Sequence, residues 1–120
     1  MSLLEGAILE HVAIPCRDIP ASVKFYLQLG FAKGFGRMEP PLQQMQLGDR
    51  MVELIAVDIG AQGSLSIAHF ALRVESASDA WDQLSKEGIH PDGPVRRGGS
   101  GAEFFFIQDP DGNRIEILSR

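Results

Sequence analysis

Two of the three histidines in this chain, His11 and His69, stand in matching surroundings 58 positions apart. Each is followed by a large apolar residue, an alanine and a second large apolar residue: His11-Val12-Ala13-Ile14 and His69-Phe70-Ala71-Leu72. Two glutamates are matched as well, Glu53 in Met51-Val52-Glu53-Leu54-Ile55-Ala56-Val57 and Glu116 in Arg114-Ile115-Glu116-Ile117-Leu118. Strand alternation puts Glu53 on one face with Met51, Ile55 and Val57, and Glu116 on one face with Arg114 and Leu118. An ionised carboxylate on an otherwise apolar face must be paired, coordinate a metal or reach water. Taken singly, a strand histidine reads as a hydrogen-bonded or half-exposed residue, and a strand glutamate as a solvated one. Four at repeat-equivalent places form a set. Two imidazoles and two carboxylates with open coordination positions suit one divalent Ni, Zn, Co, Mn or Fe ion. His90 has Ala32 at the matching place in the first copy and reads as a surface residue.

The elements that must position these groups repeat with the same offset. Val23 maps on Trp81, Tyr26 on Leu84, Gly30 on Gly88 and Phe31 on Ile89, so the chain reads as two copies of one supersecondary unit. In the first copy a strand over 8–15 ends at Pro15. Asp18 caps a helix with Pro20 in its first turn, and Gly30 stops it. A bending strand follows over 31–38, then a turn at Glu39-Pro40-Pro41 and strands over 42–47 and 51–57 joined by Gly48-Asp49. Residues 58–65 read as the linker. The second copy has a strand over 66–74, a helix capped by Ser76 with Asp79 and stopped by Gly88, and a turn over 91–94. A short strand over 95–97, a loop over 98–101 and strands over 103–108 and 113–118 complete it, the last two joined by Asp109-Pro110-Asp111-Gly112. The expectation is one α+β domain over 1–120. It consists of two tandem βαβββ modules, one about 7–58 and the other about 66–119. Their strands would form a curved, partly open eight-stranded barrel-like sheet that brings the two histidines and two glutamates together.

Composition excludes several classes. A chain of 120 residues supports one core and not two independent domains. With 44% hydrophobic and 22% charged residues it lies in the range of ordinary folded proteins. A net charge of −5 offers no footprint for nucleic acid or an anionic membrane. Residues 1–10 show no charged start followed by a long apolar run, so no signal peptide is expected. The single cysteine, Cys16, reads as a small apolar filler and suits a reducing, cytoplasmic setting.

His11-Val12-Ala13-Ile14, followed by Asp18, Ser22, Phe25-Tyr26 and Leu29-Gly30-Phe31, resembles the first module of the vicinal oxygen chelate superfamily of glyoxalases, bleomycin-resistance proteins and extradiol dioxygenases. Asp109-Pro110-Asp111-Gly112-Asn113-Arg114-Ile115-Glu116 is similar to its closing motif. The resemblance covers nearly the whole chain and implies paired βαβββ modules in a homodimer. Within the superfamily, the set His11, Glu53, His69 and Glu116 is most similar to glyoxalase I, the lactoylglutathione lyase. That likeness implies a hemithioacetal substrate, formed with glutathione or another thiol, that places two oxygens on the metal. The metal would stabilise an enediolate, with Glu116 as the base, Glu53 its counterpart across the metal, and the histidines as fixed ligands. Arg37, Arg96 and Arg97 are the candidates to hold substrate carboxylates, and Phe106, sharing a face with Phe104, is an aromatic candidate for substrate contact. The segment between the first helix and Glu53 is shorter than in typical glyoxalase I.

Other members of the superfamily fit less well. Epimerases of the methylmalonyl-CoA type carry Gln at the second ligand, where this chain has Glu53. Fosfomycin-modifying transferases have Thr two residues after the first histidine, where this chain has Ala13. In an Fe(II) dioxygenase Glu53 would be superfluous. A bleomycin-binding type of module needs an aromatic-lined cleft but no metal, and has no use for four convergent ligands.

Overall fold

Asp18 decides where the first helix begins. The computed structural model describes residues 3, 5, 10–39, 41–56, 69–98 and 101–120. In it the Asp18 carboxylate accepts from the Ala21 amide at 3.3 Å and caps α1 (Ile19–Leu29). Pro20 sits in the first turn, where no amide hydrogen is required. Gly30, at φ 109°, ends the helix and donates to the Leu27 carbonyl at 3.0 Å. The second helix, α2 (Ala77–Lys86), follows the expected pattern. The Ser76 hydroxyl accepts from the Asp79 amide at 3.1 Å. The Ala77 amide, orphaned at the helix start, donates to the buried Ser119 hydroxyl at 3.0 Å.

The strands are β1 (His11–Cys16), β2 (Ala32–Met38), β3 (Pro41–Leu47) and β4 (Arg50–Ala56) in the first copy. The second copy has β5 (His69–Arg73), β6 (Arg96–Arg97), β7 (Glu103–Gln108) and β8 (Arg114–Ser119). Each copy is therefore βαβββ. The chain divides into two units, residues 1–58 and 59–120. The eight strands are shared between two open four-stranded sheets, with orders β1-β4-β3-β2 and β5-β8-β7-β6. In both, the first strand lies at the edge and pairs in parallel with the last strand of its own copy. The edge position explains why β1 runs on through Pro15 to Cys16 instead of stopping at the proline. The expected linker over 58–65 and residues 66–68 of the expected strand lie outside the described residues.

The bend expected in residues 31–38 is a bulge. Between the pairs Lys33↔Met45 and Gly36↔Gln43 two residues of β2 oppose one of β3. The Gln43 carboxamide bridges it, donating to the Gly34 carbonyl at 3.0 Å and the Phe35 carbonyl at 3.2 Å. A Cβ at Gly36 would collide with that carboxamide. The extra residue also changes which way the strand faces beyond it: Arg37 comes opposite Leu42, on the Glu53 face of the sheet.

One face of each sheet carries the core. In the first unit Ile14, Cys16, Met45, Val52 and Leu54 are buried along with Ser22 and Tyr26 of α1. In the second unit Phe105, Ile107, Ile115 and Ile117 alternate inward on β7 and β8, and Ala77 of α2 is buried too. Full burial of a side chain of this size contributes roughly 1.5–3 kcal/mol. The opposite faces hold His11, Glu53, His69 and Glu116.

The connection from β7 to β8 is built on a buried carboxylate. Asp109 accepts from the Asp111 amide at 2.9 Å, the Asn113 amide at 2.8 Å and the Asn113 side chain at 2.8 Å. Gly112, at φ 84°, completes the turn. Replacing Asp109 with Ala strands these donors in a buried turn. The variant is expected to lose about 2–3 kcal/mol of stability, read as a lower midpoint in urea unfolding. A midpoint equal to wild type would show that the turn holds without the carboxylate.

Candidate active site

Register brings a histidine and a glutamate together in each unit. In the parallel pair β1–β4, His11 stands beside Met51 and Ala13 beside Glu53. In β5–β8, His69 stands beside Arg114 and Ala71 beside Glu116. The glutamate is thus one step diagonal from the histidine on the same face. The alanine beside it carries only a methyl group, which leaves the carboxylate room to lean along the strand. His11 Nε2 lies 3.9 Å from Glu53 Oε1, and His69 Nε2 lies 3.1 Å from Glu116 Oε1. The carboxylates are the more sheltered partners, their side chains 18% and 20% exposed against 36% and 41% for the histidines.

The donor chemistry of each pair suits a divalent metal ion. Both pairs present Nε2 and a carboxylate oxygen, and two neighbouring ligands of a divalent ion at about 2.1 Å stand roughly 3 Å apart. In the first unit supporting groups are present too. The other nitrogen of His11, Nδ1, is 2.9 Å from Glu10, and the Gln44 side chain donates to Glu53 Oε2 at 3.0 Å. Such outer partners orient metal ligands and select the histidine tautomer. Among the described residues no group of three or more His, Cys, Asp or Glu that could hold a metal ion is present. Each unit brings a pair.

The second unit differs in what surrounds its pair. Phe106, directly across from Glu116, takes the place that Gln44 holds across from Glu53. The His69 ring meets Phe106 edge-on, centroids 5.1 Å apart, and Phe106 meets Phe104 at 6.0 Å. The Arg114 guanidinium lies 4.0 Å over the Phe106 ring and that of Arg96 lies 4.8 Å over Phe104.

The sequence matches the glyoxalase/bleomycin resistance protein/dioxygenase superfamily over residues 8–117. The chain belongs to that superfamily. Glyoxalase domain-containing protein RDO1 of Mycosarcoma maydis is 29% identical over 123 aligned positions, covering 92% of this chain and 67% of its own length. The crystal structure of a glyoxalase family protein from Enterococcus faecalis, 27% identical, superposes with a TM-score of 0.78 over 94% of this chain and 98% of its own. An integron cassette protein from the Halifax Harbour sewage outfall, 24% identical, shares the fold with a TM-score of 0.80 over 98% of this chain and all of its own. The glyoxalase-superfamily fold is thus the one implied by the paired histidine strands and the closing Asp109–Glu116 motif. Among the described residues no helix is long and apolar enough to cross a membrane.

The other expected substrate contacts are placed unevenly. Phe106 is on the His69–Glu116 face, as its alternation with Phe104 requires. Arg37 is on the Glu53 face because of the β2 bulge. Arg97 is a correction. It pairs with Glu103, on the face that holds Phe105 and Ser119, and so it is turned away from Phe106 and Glu116. A step of one residue along a strand reverses the face. Arg96 faces the site instead, and it is held by Asp92 through contacts of 3.2 and 2.7 Å.

Sequence reasoning passed over Gln44 and Asp92. Gln44 was within reach of it: counting back from the two-residue Gly48-Asp49 turn puts it directly opposite Glu53. Asp92 left no such signal. Its carboxylate accepts from the Phe106 amide at 2.9 Å while its own amide donates to the Phe106 carbonyl at 2.8 Å. It therefore braces the strand that carries the ring under His69.

The hydrogen bond from Arg96, helped by the one from the Phe106 amide, holds the Asp92 carboxyl below its ordinary value of 3.8, against the opposing pull of burial. A carboxyl lowered on folding adds stability above its unfolded value, and that contribution disappears as pH falls through the native value. Asp92→Asn is therefore expected to be less stable than wild type at pH 7, with the gap closing as pH drops below 3.8. Urea midpoints of the two proteins across that range test this. A gap that persists in acid would mean that the ionised carboxylate is not its source.

Proposed function

We propose that this protein is a metal-dependent lyase or isomerase of glyoxalase type, with His11, Glu53, His69 and Glu116 as ligands of one divalent ion. The observation that carries the reading is the pair of register-equivalent His–Glu contacts, Nε2 to Oε1, at 3.9 Å and 3.1 Å. Superfamily membership agrees with it. The substrate is a compound with neighbouring carbonyl and hydroxyl oxygens, a hemithioacetal of glutathione or another thiol. The ion, when bound, supplies a Lewis acid that makes the carbon beside the carbonyl acidic.

The side chains divide the remaining work. Glu53 is anchored by Gln44 and serves as a fixed ligand. Glu116 faces a ring at the corresponding place, and His69 is its one polar contact among the described residues. It is the carboxylate freer to turn, and so the one suited to take a proton from carbon and return it to the neighbouring carbon. Phe106 meets the His69 ring edge-on and lies directly across from Glu116. A metal-free small-molecule binder is the second reading, favoured by the Phe104–Phe106 ring pair beside Arg96 and Arg114.

Calorimetric titration of chelator-stripped protein with Ni²⁺, Zn²⁺, Co²⁺ and Mn²⁺ separates the two. One ion per site is expected, with binding abolished in His69→Ala. Gln44→Ala, which leaves Glu53 without its support, should weaken the ion about 10–100-fold. Glu116→Gln should lower kcat on hemithioacetals by about 10²–10⁴-fold. Failure of the folded wild-type protein to bind any of these ions tightly would exclude the metal-dependent reading and leave the binder.

A further inference from the structure

The two copies place the same kinds of residue across the same strands, and the row through each histidine differs between them at one position. One row of the first sheet is His11, Met51 and Gln46. The equivalent row of the second is His69, Arg114 and Gln108. Histidine and glutamine recur, but where one copy has a neutral thioether the other has a guanidinium.

Arg114 is half-buried, and among the described residues no ion pair includes it. The acids nearby are engaged. Glu116, two residues along the same strand and face, meets His69, while Asp92 is bound to Arg96 and acts on Arg114 only through a longer-range field. The guanidinium rests over the Phe106 ring at 4.0 Å. Stacking uses the flat face of a guanidinium and leaves its N–H groups, which radiate in the plane, open to a two-oxygen acceptor. Beside it Gln108 offers a further amide donor and His69 an imidazole edge. A positive, pre-oriented fork on the same face as a proposed ligand pair is a seat for a carboxylate.

We propose that Arg114, stacked on Phe106 and flanked by Gln108, binds a carboxylate of the substrate. The inference rests on the proposed function in taking the His69–Glu116 face as the substrate face, and it narrows the substrate to an organic carboxylate.

The test uses benzoate and its neutral isostere benzamide, titrated into the protein before and after loading with Ni²⁺ and followed by NMR at the Arg114 side chain and the His69 ring. Benzoate is expected to bind saturably and shift both sets of signals, with or without the ion, while benzamide at the same concentrations does not. Arg114→Gln should weaken benzoate at least tenfold. Arg114→Lys, which keeps the charge but not the fork, should fall between the two, and circular dichroism checks that both variants fold. Equal binding by wild type and Arg114→Gln, equal binding of benzamide, or no benzoate binding at all would overturn the inference. If no ion binds while benzoate still requires Arg114, the metal-dependent reading fails and the carboxylate seat stands. If the ion binds and benzoate ignores Arg114, the reverse holds.

Discussion

The register between the first and last strands of each copy is the constraint on which the rest depends. A parallel pairing that sets Ala13 beside Glu53, and Ala71 beside Glu116, puts each histidine one diagonal step from its glutamate. A slip of one residue would carry either glutamate to the core face, where an ionised carboxylate has no partner and the apolar side chains would be turned to solvent. The burial of Leu54 and Val52 on one face of β4, and of Ile115 and Ile117 on one face of β8, therefore also holds the glutamates between them on the other. Stability of the core and placement of the chemistry are one requirement.

Several polar devices hold that register against slippage. The Gly48-Asp49 turn, with Gly48 at φ 62°, fixes β3 against β4 and so Gln44 against Glu53. The buried Asp109 does the same for β7 and β8, and places Phe106 against Glu116. Ser119, at the far end of β8, ties that strand to the first amide of α2. The closing motif from Asp109 to Glu116 is thus a mechanical unit: a carboxylate at its start determines where the carboxylate at its end will stand.

The two halves are alike at the strand positions of the histidine, alanine and glutamate and differ around them. Both keep the histidine, the alanine and the glutamate. Across the strands from them the first copy has Gln44, Gln46 and Met51, with Arg37 on the same face, and the second has Phe104, Phe106, Arg96 and Arg114.

The sequence by itself determined the repeat, the βαβββ order, the helix caps at Asp18 and Ser76, the stops at Gly30 and Gly88, and the sharing of a face by Phe104 and Phe106. These are local or periodic properties, set within a few residues by backbone geometry and side-chain spacing. The tertiary structure decided the rest. It took β1 through Pro15, because an edge strand can spare that hydrogen. It turned Arg37 onto the Glu53 face by a bulge and Arg97 away from Glu116 by simple alternation in a two-residue strand. It set Asp92 under Phe106, and Arg96 and Arg114 over their rings. These contacts join residues distant in the chain, and no period or motif encodes which way a long side chain will fold back once a neighbouring strand has arrived.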